Sequence, residues 1–240
     1  MVAIQNYRGR EQAYVKHVFL ERYLERLVHK TASSFDHIVY VDGFAGAWRS
    51  ANEAFQDTSF GIALNALRQA KATWKAAGRD VKMSAHLVEQ GKEAYARLAK
   101  FGARFPDIEV NTYPEDFLKA LPTILADIPG GAFTCFFIDP KGWRFRLHGL
   151  AAMLKRPRSE VIFNFMFDFI NRAASMKEPA IEQGVDELIP FGDGRVKLET
   201  PNGRERARKT ASEFSSMLSG KASRGSGPTN MSQRRRRCDR

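Results

Sequence analysis

Four acidic residues, Asp42, Glu89, Asp116 and Asp139, each follow a short apolar run, and each has small, aromatic or basic neighbours suited to holding a ligand. In Asp42-Gly43-Phe44-Ala45-Gly46 the small side chains let a ligand approach the backbone and leave N–H groups free to meet a carboxylate or phosphate. Glu89 has two readings, as a carboxylate that accepts both hydroxyls of a ribose or as a solvated helix-capping residue. Asp116 and Phe117 offer an acceptor for an amino group and an apolar face for a ring; equally, Asp116 suits a helix N-terminus and Phe117 a core. Asp139 opens Asp139-Pro140-Lys141-Gly142-Trp143, directly after the most apolar run of the chain. A carboxylate there needs a partner or a raised pKa, and Lys141 or a ligand can supply the partner.

Other constellations carry less. The turn after Asp42 lacks the G-x-G-x-x-G spacing, and Glu89 lies 47 residues beyond Asp42, whereas a dinucleotide site expects its acid about 20 residues on. That disfavours a nicotinamide enzyme. Five scattered histidines, with neither HExxH nor CxxC, predict no bound metal. Lys16 and His17 either face a ligand or belong to a solvated helix face. The aromatic run over 163–169 reads as sheet packing or as a stacking surface for single-stranded nucleic acid, and Asn164 within it stands where a strand would meet substrate. Lys141, Arg144, Arg146, Lys155, Arg156 and Arg158 are expected to rim the end of the fourth strand and bind phosphate.

The elements that must position these residues alternate. Val15, Val18, Phe19, Leu24, Leu27 and Val28 recur at helical intervals and predict an amphipathic helix over 14–30. Strands are predicted over 38–41, 83–89, 108–113, 132–139 and 161–167, and helices over 61–77, 92–100, 114–121, 147–155 and 168–175, with Pro122 breaking the third of these five. Such βαβα order with near-continuous apolar strands predicts a parallel sheet covered on both faces, with ligands bound beyond the strands' carboxyl ends.

The 240 residues carry a formal charge of +11, but residues 201–240 hold +8 of it and close on four consecutive arginines, Arg234 to Arg237. The expectation is a folded domain over 1–200 and a basic, largely disordered tail over 201–240, acting as a nucleic-acid arm or as a mere solvated terminus. The folded part is only +3, so net charge says little about a nucleic-acid partner. Two cysteines cannot build a disulfide framework, and Cys135, within an apolar run, reads as a buried thiol. No cleavable leader and no run of about 18 apolar residues is present, so a cytoplasmic protein with no membrane span is expected.

The segments Tyr40-Val41-Asp42-Gly43-Phe44-Ala45-Gly46, His86-Leu87-Val88-Glu89 and Phe137-Ile138-Asp139-Pro140 together resemble the three-Cys-motif partner proteins (TcmP), within the Rossmann-like S-adenosylmethionine-dependent methyltransferases. The resemblance covers about residues 10–175. It implies a Rossmann-like, mostly parallel sheet with helices on both faces, preceded by an N-terminal amphipathic helix. It implies S-adenosylmethionine as cofactor, with Asp42, Gly43, Phe44, Ala45 and Gly46 passing under its methionine part, Glu89 on the ribose, and Asp116 with Phe117 at the adenine. Asp139, Pro140 and Lys141 fall where amino-methylating relatives carry an Asp-Pro-Pro-aromatic motif that holds the target amine; here Lys141 replaces the second proline and Trp143 comes one position late. A three-cysteine protein partner is implied as well, while a nucleic-acid substrate is expected chiefly on the basic rim from Lys141 to Arg158. Displacement at a sulfonium needs mainly proximity and a polar setting, so no universal catalytic residue is expected; the alternative is a catalytically idle nucleic-acid or protein-binding module on the same fold.

Overall fold

Leu20, Leu24, Leu27, Val28 and Ala32 recur at three- and four-residue intervals along α1 (Glu11–Ala32) and form one buried stripe. The computed structural model describes residues 2–46, 50, 55–140 and 150–164. A 3₁₀ turn, Ile4–Tyr7, precedes α1; β1 (His37–Asp42), α2 (Ser59–Ala76), β2 (Lys82–Val88), α3 (Lys92–Gly102), β3 (Glu109–Tyr113), α4 (Phe117–Asp127), β4 (Phe133–Ile138), α5 (Ala151–Leu154) and β5 (Ser159–Phe163) follow. All five strands are parallel, in the order β3-β2-β1-β4-β5. This is a Rossmann-like α/β fold.

Strand alternation sorts the core into two layers. Ile38 and Tyr40 of β1, Met83, Ala85 and Leu87 of β2, and Cys135 and Phe137 of β4 pack with α1, α2 and the α3 residues Leu98 and Phe101. Val39, Val41, Val88, Phe136 and Ile138 are buried on the opposite face, where α4 crosses β2. Right-handed crossovers require this division, since the chain leaves β1 towards β2 and β3 and then returns past β1 to β4 and β5. The reversal makes the β1–β4 boundary the switch point, where the chain diverges in opposite directions beyond the carboxyl ends and opens a crevice. Register puts Asp42 level with Phe137 there.

The structure alters three local expectations. α4 begins at Phe117 and continues through Pro122 to Asp127. The backbone bond lost at proline is offset by burial of Leu121 on one side of it and Ile124 on the other. β2 stops at Val88, leaving Glu89 just beyond it, and β5 begins at Ser159, two residues before the predicted start. The remainder of the predicted strand over 165–167, the helix over 168–175, residues 147–149 of the helix predicted over 147–155 and the tail over 201–240 lie outside the described residues. Cys135 is buried as expected, and burial pushes its thiol up to about 12. No helix among the described residues is long and apolar enough to cross a membrane.

Candidate functional site

The turn after β1 is shaped from within. Asp42 is fully buried. Its Oδ1 accepts the Phe44 N–H at 3.0 Å and its Oδ2 the Ser59 hydroxyl at 2.6 Å, from the first residue of α2. Desolvation raises its pKa to about 6, against the lowering effect of those two bonds; nearby Asp139 raises it further and Lys16 lowers it. The N–H groups of the turn are not free for an anion, contrary to expectation. Gly43 donates to the Phe137 carbonyl, Phe44 to Asp42, Ala45 to the Val88 carbonyl and Gly46 to the Phe44 carbonyl. The physical reason is closure, because a turn spanning the ends of β1, β2 and β4 satisfies its own donors by continuing their ladders. A Cβ at Gly43 would stand 3.0 Å from the Phe117 ring and 3.2 Å from Ile138, so any larger residue there presses on both side chains.

Beside this turn lies a cleft of about 460 Å³, including the solvent at its mouth, lined by Gly43, Phe44, Val88, Glu89, Gln90, Glu115, Asp116 and Phe117. The structure thus brings the ends of β1, β2 and β3 together, with Gly43, Phe44, Glu89, Asp116 and Phe117 sharing one wall system. Asp42, Ala45 and Gly46 do not line it. Glu89 is 6% exposed, and its Oε1 accepts the Gly91 N–H at 2.6 Å at the start of α3. That N–H belongs to the residue before α3 begins, α3 has no side-chain cap bond and Glu89 is buried, so the solvated helix-capping reading fails, while its Oε2 has no hydrogen-bond partner among the described residues. Asp116 caps α4 by accepting the Leu118 N–H at 2.9 Å, and Phe117 is 1% exposed with its ring 6.0 Å from that of Phe44. Both structural readings of this pair hold, and both residues still border the cleft. Three carboxylates and two aromatic rings make it acidic and partly apolar.

A second polar group gathers beyond β4. Asp139 pairs through Oδ2 with the Lys16 ammonium from α1, and its Oδ1 accepts Asn164 Nδ2 at 2.6 Å from the end of β5. Lys16 is the partner found for Asp139; Lys141, Gly142 and Trp143 lie outside the described residues, and Pro140 is buried. The solvated-face alternative for Lys16 and His17 is overturned. His17 is 7% exposed and bonds through Nδ1 to the Tyr7 hydroxyl at 2.8 Å. Desolvation, helped by Lys16, lowers its pKa to about 4, with Asp139 and Asp57 opposing. Arg10 pairs with the fully buried Asp57 at 2.7 Å and lies 5.2 Å over the Tyr7 ring. Tyr7, Arg10, Asp57 and Ser59 were not singled out in the sequence. The only local signal was Asp57-Thr58-Ser59 as a helix start, which Thr58 fulfils by accepting the Gly61 N–H.

The expected basic rim does not form as one patch. Arg156 donates to the Ile128 and Pro129 carbonyls and Arg158 to that of Gly130, in the turn before β4. The Arg158 carbonyl accepts the Thr134 N–H. Both arginines therefore lie at the amino edge of the sheet, because α5 returns the chain there before β5 can run parallel to β4. Lys155 is exposed, and Arg144 and Arg146 lie outside the described residues. Among the described residues no group of three or more His, Cys, Asp or Glu is placed to hold a metal ion. No protein-family model matches the chain, and no curated protein matches it either.

Proposed function

We propose that the cleft holds the adenosine part of S-adenosylmethionine and that the protein is a methyltransferase-like enzyme of the three-Cys-motif partner type. The observation that carries this reading is the lining of the cleft, in which Glu89, Glu115 and Asp116 face a groove walled by Phe44 and Phe117 and bordered by a turn with no spare N–H. Such a surface repels phosphates and accepts a neutral nucleoside joined to a cation. Nucleotides with a pyrophosphate fit it poorly.

Glu89 Oε2 is available to accept a ribose hydroxyl while Oε1 stays fixed on Gly91. Asp116 would accept from an adenine amino group, and the rings of Phe44 and Phe117 would supply its apolar contact. When bound, the cofactor supplies an electrophilic methyl group on a sulfonium. Asp139 at the neighbouring strand tip, with Pro140 and Lys141 following it, belongs to the acceptor side. A three-cysteine protein as partner rests on the resemblance of the strand-end segments; a nucleic acid as substrate rests on the basic residues expected around the fourth strand, and the placement of Arg156 and Arg158 at the amino edge of the sheet weakens it.

Calorimetry with S-adenosylhomocysteine tests the cofactor reading. Wild-type protein should bind it, and Glu89→Ala should weaken binding roughly 10- to 100-fold, the loss of a hydrogen bond or two to a charged acceptor. No heat with folded protein at high micromolar ligand, or an unchanged affinity in Glu89→Ala, would overturn it. An idle binding module is favoured by one observation, the prior occupation of both Asp139 oxygens by Lys16 and Asn164. In that case nucleic-acid binding would be salt-dependent and indifferent to Glu89→Ala.

A further inference from the structure

The outer face of α1 carries cations and aromatic rings that the fold does not use. Arg22, Arg26 and Lys30 are exposed and follow one another at four-residue steps, each about 6 Å along the helix axis and about 40° round it. A second row at the same spacing, Val15, Phe19 and Tyr23, lies on the same side. Between Val15 and Lys30 the only acids of α1, Glu21 and Glu25, turn instead to a groove beside α2, whose rim Arg22 also touches. The three cations have no hydrogen-bond or ion-pair partner among the described residues. Lys16 is committed to Asp139 and forms no part of this surface. Val15 is 67% exposed and Phe19 58%, and with Ile4 they are the large apolar side chains left open among the described residues. The Phe19 and Tyr23 rings stand 5.6 Å apart and within 19° of parallel, with Tyr23 half-buried behind. A flat ring placed on Phe19 therefore continues a stack that has already begun, beside cations placed at regular intervals. Nucleobases and phosphates on one strand supply both. A duplex offers phosphates without a free base face, and an acidic protein segment offers charge without a ring at each repeat.

We propose that the outer face of α1 binds single-stranded nucleic acid, with a base stacked on Phe19 and phosphates paired with Arg22, Arg26 and Lys30. Contacts to phosphate and to ring faces are blind to base identity, so the surface carries affinity and not sequence choice. Nucleic acid then lies along α1, away from the end of the fourth strand where the basic rim was expected. The proposal stands without the methyltransferase reading, because none of these side chains lines the acidic cleft.

The probe is a fluorescein-labelled oligo(dT) of about 15 nucleotides, followed by anisotropy between about 50 and 200 mM NaCl. The protein is the full chain with Arg234, Arg235, Arg236 and Arg237 changed to serine, so that the terminal arginines do not dominate. In that background Phe19→Ala should weaken binding about 5- to 100-fold with the salt dependence unchanged, the loss of one stacked base. Arg22→Ala with Arg26→Ala should flatten the slope of log K against log salt by about 1.4, two phosphate contacts of a single strand. Lys75→Ala with Lys100→Ala removes the same charge from exposed positions off this face and should leave the slope where it was. All five side chains are exposed, so the variants keep the fold. No binding at the lower salt, an unchanged affinity in Phe19→Ala, or an equal loss of slope in both charge pairs overturns the proposal. So does a duplex that binds as tightly as the single strand, which would leave charge alone as the cause. Displacement of the strand by polyglutamate overturns it too, in favour of an acidic protein partner. S-adenosylhomocysteine calorimetry on Phe19→Ala should match wild type, and absence of cofactor binding in both would remove the methyltransferase reading while leaving the nucleic-acid face standing.

Discussion

Between pH 4 and pH 6.5 the unfolding free energy is expected to stay nearly level, because two buried groups near the switch point titrate against each other. Asp42 is raised by desolvation from 3.8 to about 6. The native state therefore binds its proton more tightly than the unfolded chain does, and the stability this contributes below pH 3.8 is lost as pH rises through about 6. His17 is lowered, again by desolvation first, from 6.5 to about 4. Its contribution is present above pH 6.5 and is lost as pH falls through about 4. Each shift is worth about 3 kcal/mol, with opposite sign over the same window. Urea unfolding at pH 4, 5, 6 and 7 separates them. Asp42→Asn should lose about 3 kcal/mol more than wild type on acidification from pH 7 to pH 4, and His17→Gln should lose about 3 kcal/mol less. His37 and His86, lowered by burial, and Glu109, lowered chiefly by its bond to Lys82, act in the same sense as His17 and leave the wild type a shallow slope. If both variants run parallel to wild type, the two groups are not the opposed pair described.

Gly61→Ala should destabilise the protein by about 3 kcal/mol or more, although a glycine-to-alanine change inside a helix ordinarily stabilises by up to about 1 kcal/mol. A Cβ at this position would stand 2.0 Å from the Phe55 carbonyl oxygen and 2.9 Å from Thr58 Oγ1. Neither can yield cheaply. The Phe55 oxygen accepts both the N–H and the hydroxyl of Thr58, which caps α2. Phe55 itself has φ of 48° and packs its ring against Phe60 and Phe101, so its backbone already occupies a disfavoured region in return for core contacts. Displacing it would disturb the helix that presents Ser59 to Asp42. Thermal unfolding should show a fall of roughly 6–12 °C in Tm. Gly130→Ala, where a Cβ meets nothing within 4 Å, serves as the comparison and should change stability by less than about 0.5 kcal/mol. A loss below 1 kcal/mol for Gly61→Ala would mean that the Phe55 turn opens freely.

The acidic cleft was legible in outline because every residue that lines it sits within a few positions of a strand end. Once the apolar runs ending near Asp42, Glu89 and Tyr113 are recognised as parallel strands, their following residues must meet at one edge. What the residue types left open was the state of their polar atoms. The glycine-bearing turn looked like an anion cradle, yet its four N–H groups are consumed by Phe137, Asp42, Val88 and Phe44. That outcome depends on how closely three strand ends approach, a distance no local spacing records. Arg156 and Arg158 likewise looked like neighbours of the Asp139 tip in sequence, but the return of the chain before a parallel β5 carries them to the other edge of the sheet.

By itself, the sequence determined the Rossmann-like alternation, the two-sided burial of the strands and the acids at their carboxyl ends, because strand and helix periodicities are local and the parallel crossover leaves little topological choice. Only the tertiary structure decided which charge each acid meets. Lys16 reaches Asp139 across 123 residues of chain, Arg10 reaches Asp57 across 47, and Ser59 reaches Asp42 across 17. A buried carboxylate must find a donor, but the physics of desolvation names only the need. The packing of α1 and α2 beside the switch point chooses the donor, and with it turns an amphipathic lead-in helix into part of the site.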